Sequence, residues 1–298
     1  MYSRVLRQID EEHAGLVSKI LQWLAYSTRP LYIEEVAEIA TINSSQRFSD
    51  PRRVLELLPS PLVTKTYTSD ESDSSDFKEH QQQLHLVHPS FKEYLLSSEI
   101  QTGPESRYAI DQTESHAAIS EDCLKYLLQF NQPYTTVPDV VQSSSLLRYA
   151  ANYWAVHARH AGSRISRIQP LIWELFAAEN AYLNWTAFLD GYQPFNEHNN
   201  IDGDALAPPP NPLYYASSYG LASVAQDLLQ SGAPVDSQGP SGTALAAASL
   251  SGHNDTVRLL IDNGADVNSE GPLGRPLDLA ASNGHFQVVE HLLERGAK

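Results

Sequence analysis

Apolar residues recur at helical spacing early in the chain. Residues 13 to 26 place Leu16, Val17, Ile20, Leu21, Leu24 and Ala25 on one face, and Arg29-Pro30 stops the helix this predicts. A second helix follows around Ile33 to Ile42. A third, short one is expected at Pro51 to Leu58, because proline is tolerated at the first helical position after an N-capping aspartate, here Asp50. The pattern then changes period. Pro61 to Tyr67 and Leu84 to His88 are β-branched or alternating and predict two strands of a hairpin, joined by a Ser/Asp/Gln-rich tract. Ser90-Phe91-Lys92-Glu93 reads as a capping box opening a helix through Tyr94, Leu95 and Leu96.

The last third is periodic on a longer scale. Leu213, Leu245 and Leu277 recur every 32 residues, as do Ala216, Ala248 and Ala280, Gly220, Gly252 and Gly284, Leu228, Leu260 and Leu292, and Gly232, Gly264 and Gly296. Within one unit Leu245 and Ala248 share a first helix, Gly252-His253 breaks it, and Val257, Leu260 and Ile261 face inward from a second. Gly264 supplies the left-handed residue that ends the second helix, and Ala265-Asp266-Val267-Asn268 leads onward. This pattern over 211–298 resembles the ankyrin repeat, in units 211–242, 243–274 and 275–298. The family's Thr-Pro-Leu-His opening stands here as Asn211-Pro212-Leu213-Tyr214, Thr243-Ala244-Leu245-Ala246 and Arg275-Pro276-Leu277-Asp278. No unit keeps that histidine, which removes hydrogen bonds worth about 0.5–1.5 kcal/mol each and implies an array less stable than an idealised one. The last unit ends apolar, with Val288, Val289, Leu292 and Leu293 and no polar cap, so the array reads as cut short or paired with something.

Helix-helix-helix-hairpin-helix over 1–100 is the order of a winged helix. Ile20-Leu21-Gln22-Trp23-Leu24, Arg29-Pro30-Leu31, Glu35-Val36-Ala37-Glu38 and Leu86-Val87-His88-Pro89-Ser90-Phe91-Lys92-Glu93-Tyr94-Leu95-Leu96 resemble the region after the NACHT NTPase in fungal NOD-like receptors of the STAND type. The same winged helix carries the label of GPI inositol-deacylase. That label implies no hydrolase, since the chain has no Gly-x-Ser-x-Gly nucleophile elbow. The resemblance continues through Cys123–Leu128 and Leu147–Ala158, which imply a helical spacer over 101–195. The NTPase itself is missing: no Gly-x-x-x-x-Gly-Lys-Ser/Thr phosphate loop occurs, and residue 1 falls where that domain would be ending. Residues 196–210, closing on Pro208-Pro209-Pro210, read as a linker. The expected fold class is therefore mainly α: a winged helix with a small β-hairpin, a helical spacer, and a three-unit ankyrin-repeat solenoid.

Charge and cysteine usage narrow the function. A net charge of −16 repels phosphate backbones and anionic membranes, so nucleic acid and membrane are poor default partners. One cysteine, Cys123, permits no intramolecular disulfide and suits a reducing compartment. With no long apolar run and an N-terminus unlike a signal peptide, the expected location is cytoplasmic, with the nucleus left open. His85 and His88 lie on a strand; His157 and His160 read as an ordinary pair near a helix end, without the Cys, Asp or Glu that would complete a metal site. Cys123 and the aromatic residues Trp23, Trp154, Trp173, Trp185, Tyr149, Tyr153 and Tyr182 read as packing residues, so neither cofactor nor metal is expected.

These features predict a non-enzymatic protein-interaction adaptor or sensor, recognising a protein partner on the concave side of the repeats, on turn tips and first helices. The candidate contacts are Tyr214, Ser237, Gln238, Ser269, Glu270, Asp278 and Asn283. The alternative is a transcriptional regulator reading DNA through Arg47, Arg52 and Arg53; Asp70, Glu71, Asp73, Asp76 and Glu79, where a wing would approach the backbone, oppose it. The resemblance to signal-transducing NTPases also implies that His88 could sense a nucleotide β-phosphate if an NTPase-containing relative were supplied in trans. Pro89 departs from the aspartate of other branches at that place.

Overall fold

A computed structural model describes residues 2–42, 50–68, 81–133, 144–189 and 210–298. Two compact units, Met1–Ala181 and Tyr182–Lys298, divide the chain.

In the first unit the elements run α1 (Tyr2–Leu6), α2 (Ala14–Tyr26), β1 (Leu31–Tyr32), α3 (Ile33–Thr41), a 3-10 turn at Pro51–Arg53 leading into α4 (Val54–Leu57), β2 (Val63–Thr68), β3 (Gln81–Leu86), α5 (Pro89–Leu96) and α6 (Ser98–Thr102). Three longer helices follow: α7 (Gln112–Leu128), α8 (Leu147–His160) and α9 (Ile165–Ala177). The expected helices are present, and the Asp50 carboxylate accepts from Arg52 N–H at 2.9 Å as a cap should. The hairpin is wider than its two strands. β1 joins β3 antiparallel, Leu31 opposite Leu84, to make a three-stranded sheet in the order β1-β3-β2. The capping box expected at Ser90 is not how α5 starts: Pro89 occupies the first helical position, and the N-cap is His88, whose Nδ1 accepts from Ser90 N–H at 3.1 Å.

A buried and a half-buried carboxylate tie these elements together. Glu35, 2% exposed, takes the Arg29 guanidinium on both oxygens at 2.9 and 2.5 Å and accepts from Tyr32 N–H at 2.8 Å. It thereby fixes the entry to α3. Glu38 acts across the unit: it accepts from Ser145 N–H at 2.7 Å and Leu146 N–H at 3.1 Å, satisfying donors at the head of α8 that the local sequence leaves without a side-chain cap. α7 and α8 pack along each other and α2 lies against α7, with Trp23, Tyr149, Trp154 and Cys123 each 1% exposed or less. Burial pushes the Cys123 thiol well up, so it stays a packing group.

The second unit opens with α10 (Glu179–Leu189, of which it holds all but the first turn). Its Trp185 and Tyr182 rings lie 5.0 and 6.2 Å from the ring of Tyr215. Three helix pairs follow: α11 (Pro212–Ser218) with α12 (Ala222–Gln230), α13 (Ala244–Leu250) with α14 (Asn254–Asp262), and α15 (Pro276–Ser282) with α16 (Phe286–Glu294). A two-stranded ribbon, β4 (Gln238–Gly239) and β5 (Gly242–Thr243), connects the first two pairs. The same backbone closures recur in each. Leu221, His253 and His285 donate back to Ala216, Ala248 and Ala280 at 2.9, 3.0 and 2.9 Å, across Gly220, Gly252 and Gly284 at φ +70°, +72° and +72°.

Two kinds of bond link successive pairs. His253 Nε2 meets the Ser218 carbonyl at 3.0 Å and His285 Nε2 the Leu250 carbonyl at 3.0 Å, so each imidazole lies over the preceding pair's turn glycine. At the turns, Asp236 accepts from Asp266 N–H at 3.1 Å and Asn268 from Lys298 N–H at 2.9 Å. The histidine missing from the helix openings is thus offset by another, one turn later, that bridges neighbouring pairs.

Replacing Glu35 by alanine leaves Arg29 without its carboxylate and is expected to destabilise the first unit by about 3 kcal/mol. Urea titration followed by tryptophan fluorescence reads it, since Trp23, Trp154 and Trp173 all lie there. A loss under about 1 kcal/mol would make the pair a surface ornament.

Candidate functional site

The candidate surface is the row of turn tips. Gln238, Glu270 and Asp278 are exposed there, and Ser269 is half-buried with its hydroxyl 3.0 Å from Thr243 Oγ1. Two expected contact residues instead face inward. Tyr214 is 4% exposed, its ring against Gly239, where an added Cβ would come within 2.5 Å, and its hydroxyl accepts from Ser241 N–H at 2.9 Å. Tyr214 carries the ribbon on its ring. Ser237, 6% exposed, donates to the Pro234 carbonyl. Asn283 is exposed, but its amide is turned back to the Leu279 carbonyl at 2.8 Å and caps α15.

The first helices also offer less than expected. α13 is Ala244-Leu245-Ala246-Ala247-Ala248-Ser249-Leu250, and its first six residues are buried, because methyl-sized side chains let α11 and α15 close on both sides. Beside the tips, Asp278, Ala281 and Ser282 of α15 stay open. Leu273, missed in the sequence, joins them: it is 56% exposed in the two-residue turn between Gly271 and Gly274, which bond to each other at 3.1 and 3.2 Å. Its flanking glycines were the available signal. Asp236, Asp266, Glu270 and Asp278, all exposed, give this row an acidic character.

The array matches the family described as Ankyrin repeats, in three copies over residues 211–298. Residues 211–298 are ankyrin repeats. Along 268 residues the chain is 31% identical to Azaphilone pigments biosynthesis cluster protein L of Monascus ruber, covering 85% of this chain and 56% of that protein. The chain therefore spans little more than half the length of this relative. Among solved structures, the human ASB11 ankyrin repeat domain is 32% identical over 30% of this chain and 41% of its own, at a TM-score of 0.28. No described helix is long and apolar enough to cross a membrane.

His88 is exposed; because its Nδ1 accepts from Ser90 N–H, the neutral ring carries its hydrogen on Nε2. Arg52 and Arg53 are exposed on the 3-10 turn, while Arg47 and the acidic loop residues lie outside the described residues, as do 196–209 of the expected linker.

One cluster was not foreseen. His157 does stand in the last turn of α8, but it is fully buried, with Nδ1 2.8 Å from Nδ1 of His116 and Nε2 2.9 Å from the Tyr149 hydroxyl, which accepts from Thr28 N–H at 3.0 Å. His160 is exposed, its Nδ1 2.8 Å from the Val156 carbonyl. The Tyr149–His157 and His157–His116 links each hold one hydrogen, in a direction set by the ring tautomers. A further proton has no place between the two Nδ1 atoms. Burial, then the neighbouring His160 and Lys92, holds His116 down to about 4; burial, then His116 and His160, holds His157 down to about 3.

Both folded-state values lie below the ordinary imidazole value of 6.5, so the unfolded chain binds more protons between them. Stability from this pair is fully present above about pH 6.5 and lost as pH falls toward 4 and then 3. Chemical denaturation of the first unit from pH 7.5 to 4 is expected to show this decline, and His116→Gln with His157→Gln to flatten it. An equal slope in the double variant would place the acid sensitivity elsewhere.

Proposed function

We propose that the chain is a non-enzymatic, intracellular adaptor or sensor that recognises a protein partner through its ankyrin turn tips. The exposed acidic row with Leu273 at its edge carries this reading, because the apolar helix faces of the first two repeats are committed to stacking. A partner surface rich in lysine and arginine, with an apolar recess for Leu273, fits it. Beyond the repeats, the reading assigns 1–100 to a winged helix, 101–195 to a helical spacer and 196–210 to a linker. It relates the chain to fungal NOD-like receptor signalling; the quoted motifs and the order α2, α3, α4, β2, β3, α5 support this. Glu35 and Glu38, within one of those motifs, hold the entry to α3 and the head of α8.

With the partner captured by immobilised full-length chain, Glu270→Lys, Leu273→Asp and Asp278→Lys together are expected to weaken binding at least tenfold, about 1.4 kcal/mol, and binding should weaken with added salt. Undiminished affinity would remove the tips from the interface. For His88, the NTPase of a close relative fused ahead of residue 1 should retain nucleotide longer with His88 than with His88→Ala. Equal retention would leave His88 as the cap of α5 alone.

A further inference from the structure

The turn tips share more than acidic charge. Gly-Pro-Ser-Gly stands at 239–242 and Gly-Pro-Leu-Gly at 271–274, one 32-residue interval apart. In each the outer glycines pair across a two-residue turn, Gly239 opposite Gly242 and Gly271 opposite Gly274, with Gly242 and Gly274 at φ +108° and +120°. The two tips touch through their backbones. A Cβ built on Gly271 would lie 2.8 Å from the Gly242 Cα, and one built on Gly242 would lie 3.8 Å from Pro272 Cδ. No side chain separates the tips at that contact. Pro240 on one tip and Pro272 and Leu273 on the next, all exposed, therefore belong to one apolar ledge. Proline suits such a ledge, because its ring has no rotamers to freeze on binding and brings no N–H to be left unsatisfied under a partner. A flat aromatic face is what a proline ring packs against when proline-bearing segments are recognised. The exposed carboxylates of Asp236, Asp266, Glu270 and Asp278 flank the two turns along the chain.

We propose that this ledge receives an aromatic side chain of a basic protein segment, its ring set on Pro240, Pro272 and Leu273 and its neighbouring lysines or arginines meeting the carboxylates. The proposal rests on the turn-tip reading and names the chemistry that surface selects. Charge alone accepts any cationic segment, whereas the two prolines and Leu273 distinguish a segment that also carries an aromatic ring. A second copy of the chain does not meet that description. Among the described residues the exposed aromatic is Phe286, which stands between His285 and Gln287 with neither lysine nor arginine beside it.

The test selects a displayed library of random linear peptides on the immobilised full chain, and titrates the recovered sequences by fluorescence anisotropy. They are expected to carry an aromatic residue beside lysine or arginine, and to bind at least about tenfold more weakly once leucine replaces that aromatic residue. The full chain with Pro240→Ser, Pro272→Ser and Leu273→Ser should show a loss of the same size, with its circular dichroism unchanged. Because the leucine exchange is made in the peptide, it reads the contact even where serine loosens the tips. The proposal is overturned by recovered peptides that lack aromatic residues, by peptides that tolerate leucine, or by no recovery at all. If peptides of the first two kinds lose their binding to the full chain with Glu270→Lys and Asp278→Lys, the acidic tips remain the binding surface and only the aromatic contact falls. Peptides indifferent to both sets of chain variants would remove the tip surface as well.

Discussion

The array depends on one constraint: a backbone turn with positive φ placed directly beneath an imidazole. The turn reverses the chain between the helices of one repeat, and glycine meets it without steric cost. The imidazole of the next repeat then occupies the space a side chain would have filled and bonds to a carbonyl left over at the end of the first helix. Conformation within a repeat and adhesion between repeats are therefore set at one place. Its recurrence at 32-residue intervals makes neighbouring interfaces equivalent, so the turn tips fall in a row.

Much of this was legible in the sequence because it repeats. A glycine at 220, 252 and 284 and another at 232, 264 and 296 identify turns and helix ends whatever lies between them, and His253 and His285 were visible beside two of them. What could not be read was direction. Tyr214 is an aromatic residue at the head of a helix and looks presented; it faces inward because the ribbon at Gly239 closes over it. Similarly, an alanine-rich α13 reads as a helix with a free face, and small side chains instead bring its neighbours close on both sides. Leu273 shows the reverse case, an apolar residue left outside by a turn only two residues long.

In the first unit, helices and strands follow from apolar spacing, but the polar bonds that fix their arrangement join residues distant in the chain. Glu38 serves the head of α8 more than a hundred positions away, and His157 meets His116 across the α7–α8 contact. Periodicity carries no information about such pairs. Two-residue β1 is equally invisible, since its strand character comes from Leu84 opposite Leu31 and not from its own composition. The residues that carry the resemblance to NOD-like receptors include Arg29, Glu35 and Glu38, which here bind one element to the next.

The claim on which the functional account rests is that the turn tips meet a protein. Hydrogen exchange on the full chain, with and without its captured partner, tests it most directly. The account predicts slowed exchange confined to residues 236–241 and 268–278, with the α12, α14 and α16 interiors unchanged. Slowed exchange restricted to the first unit, with the tips as fast as in the free chain, would contradict it.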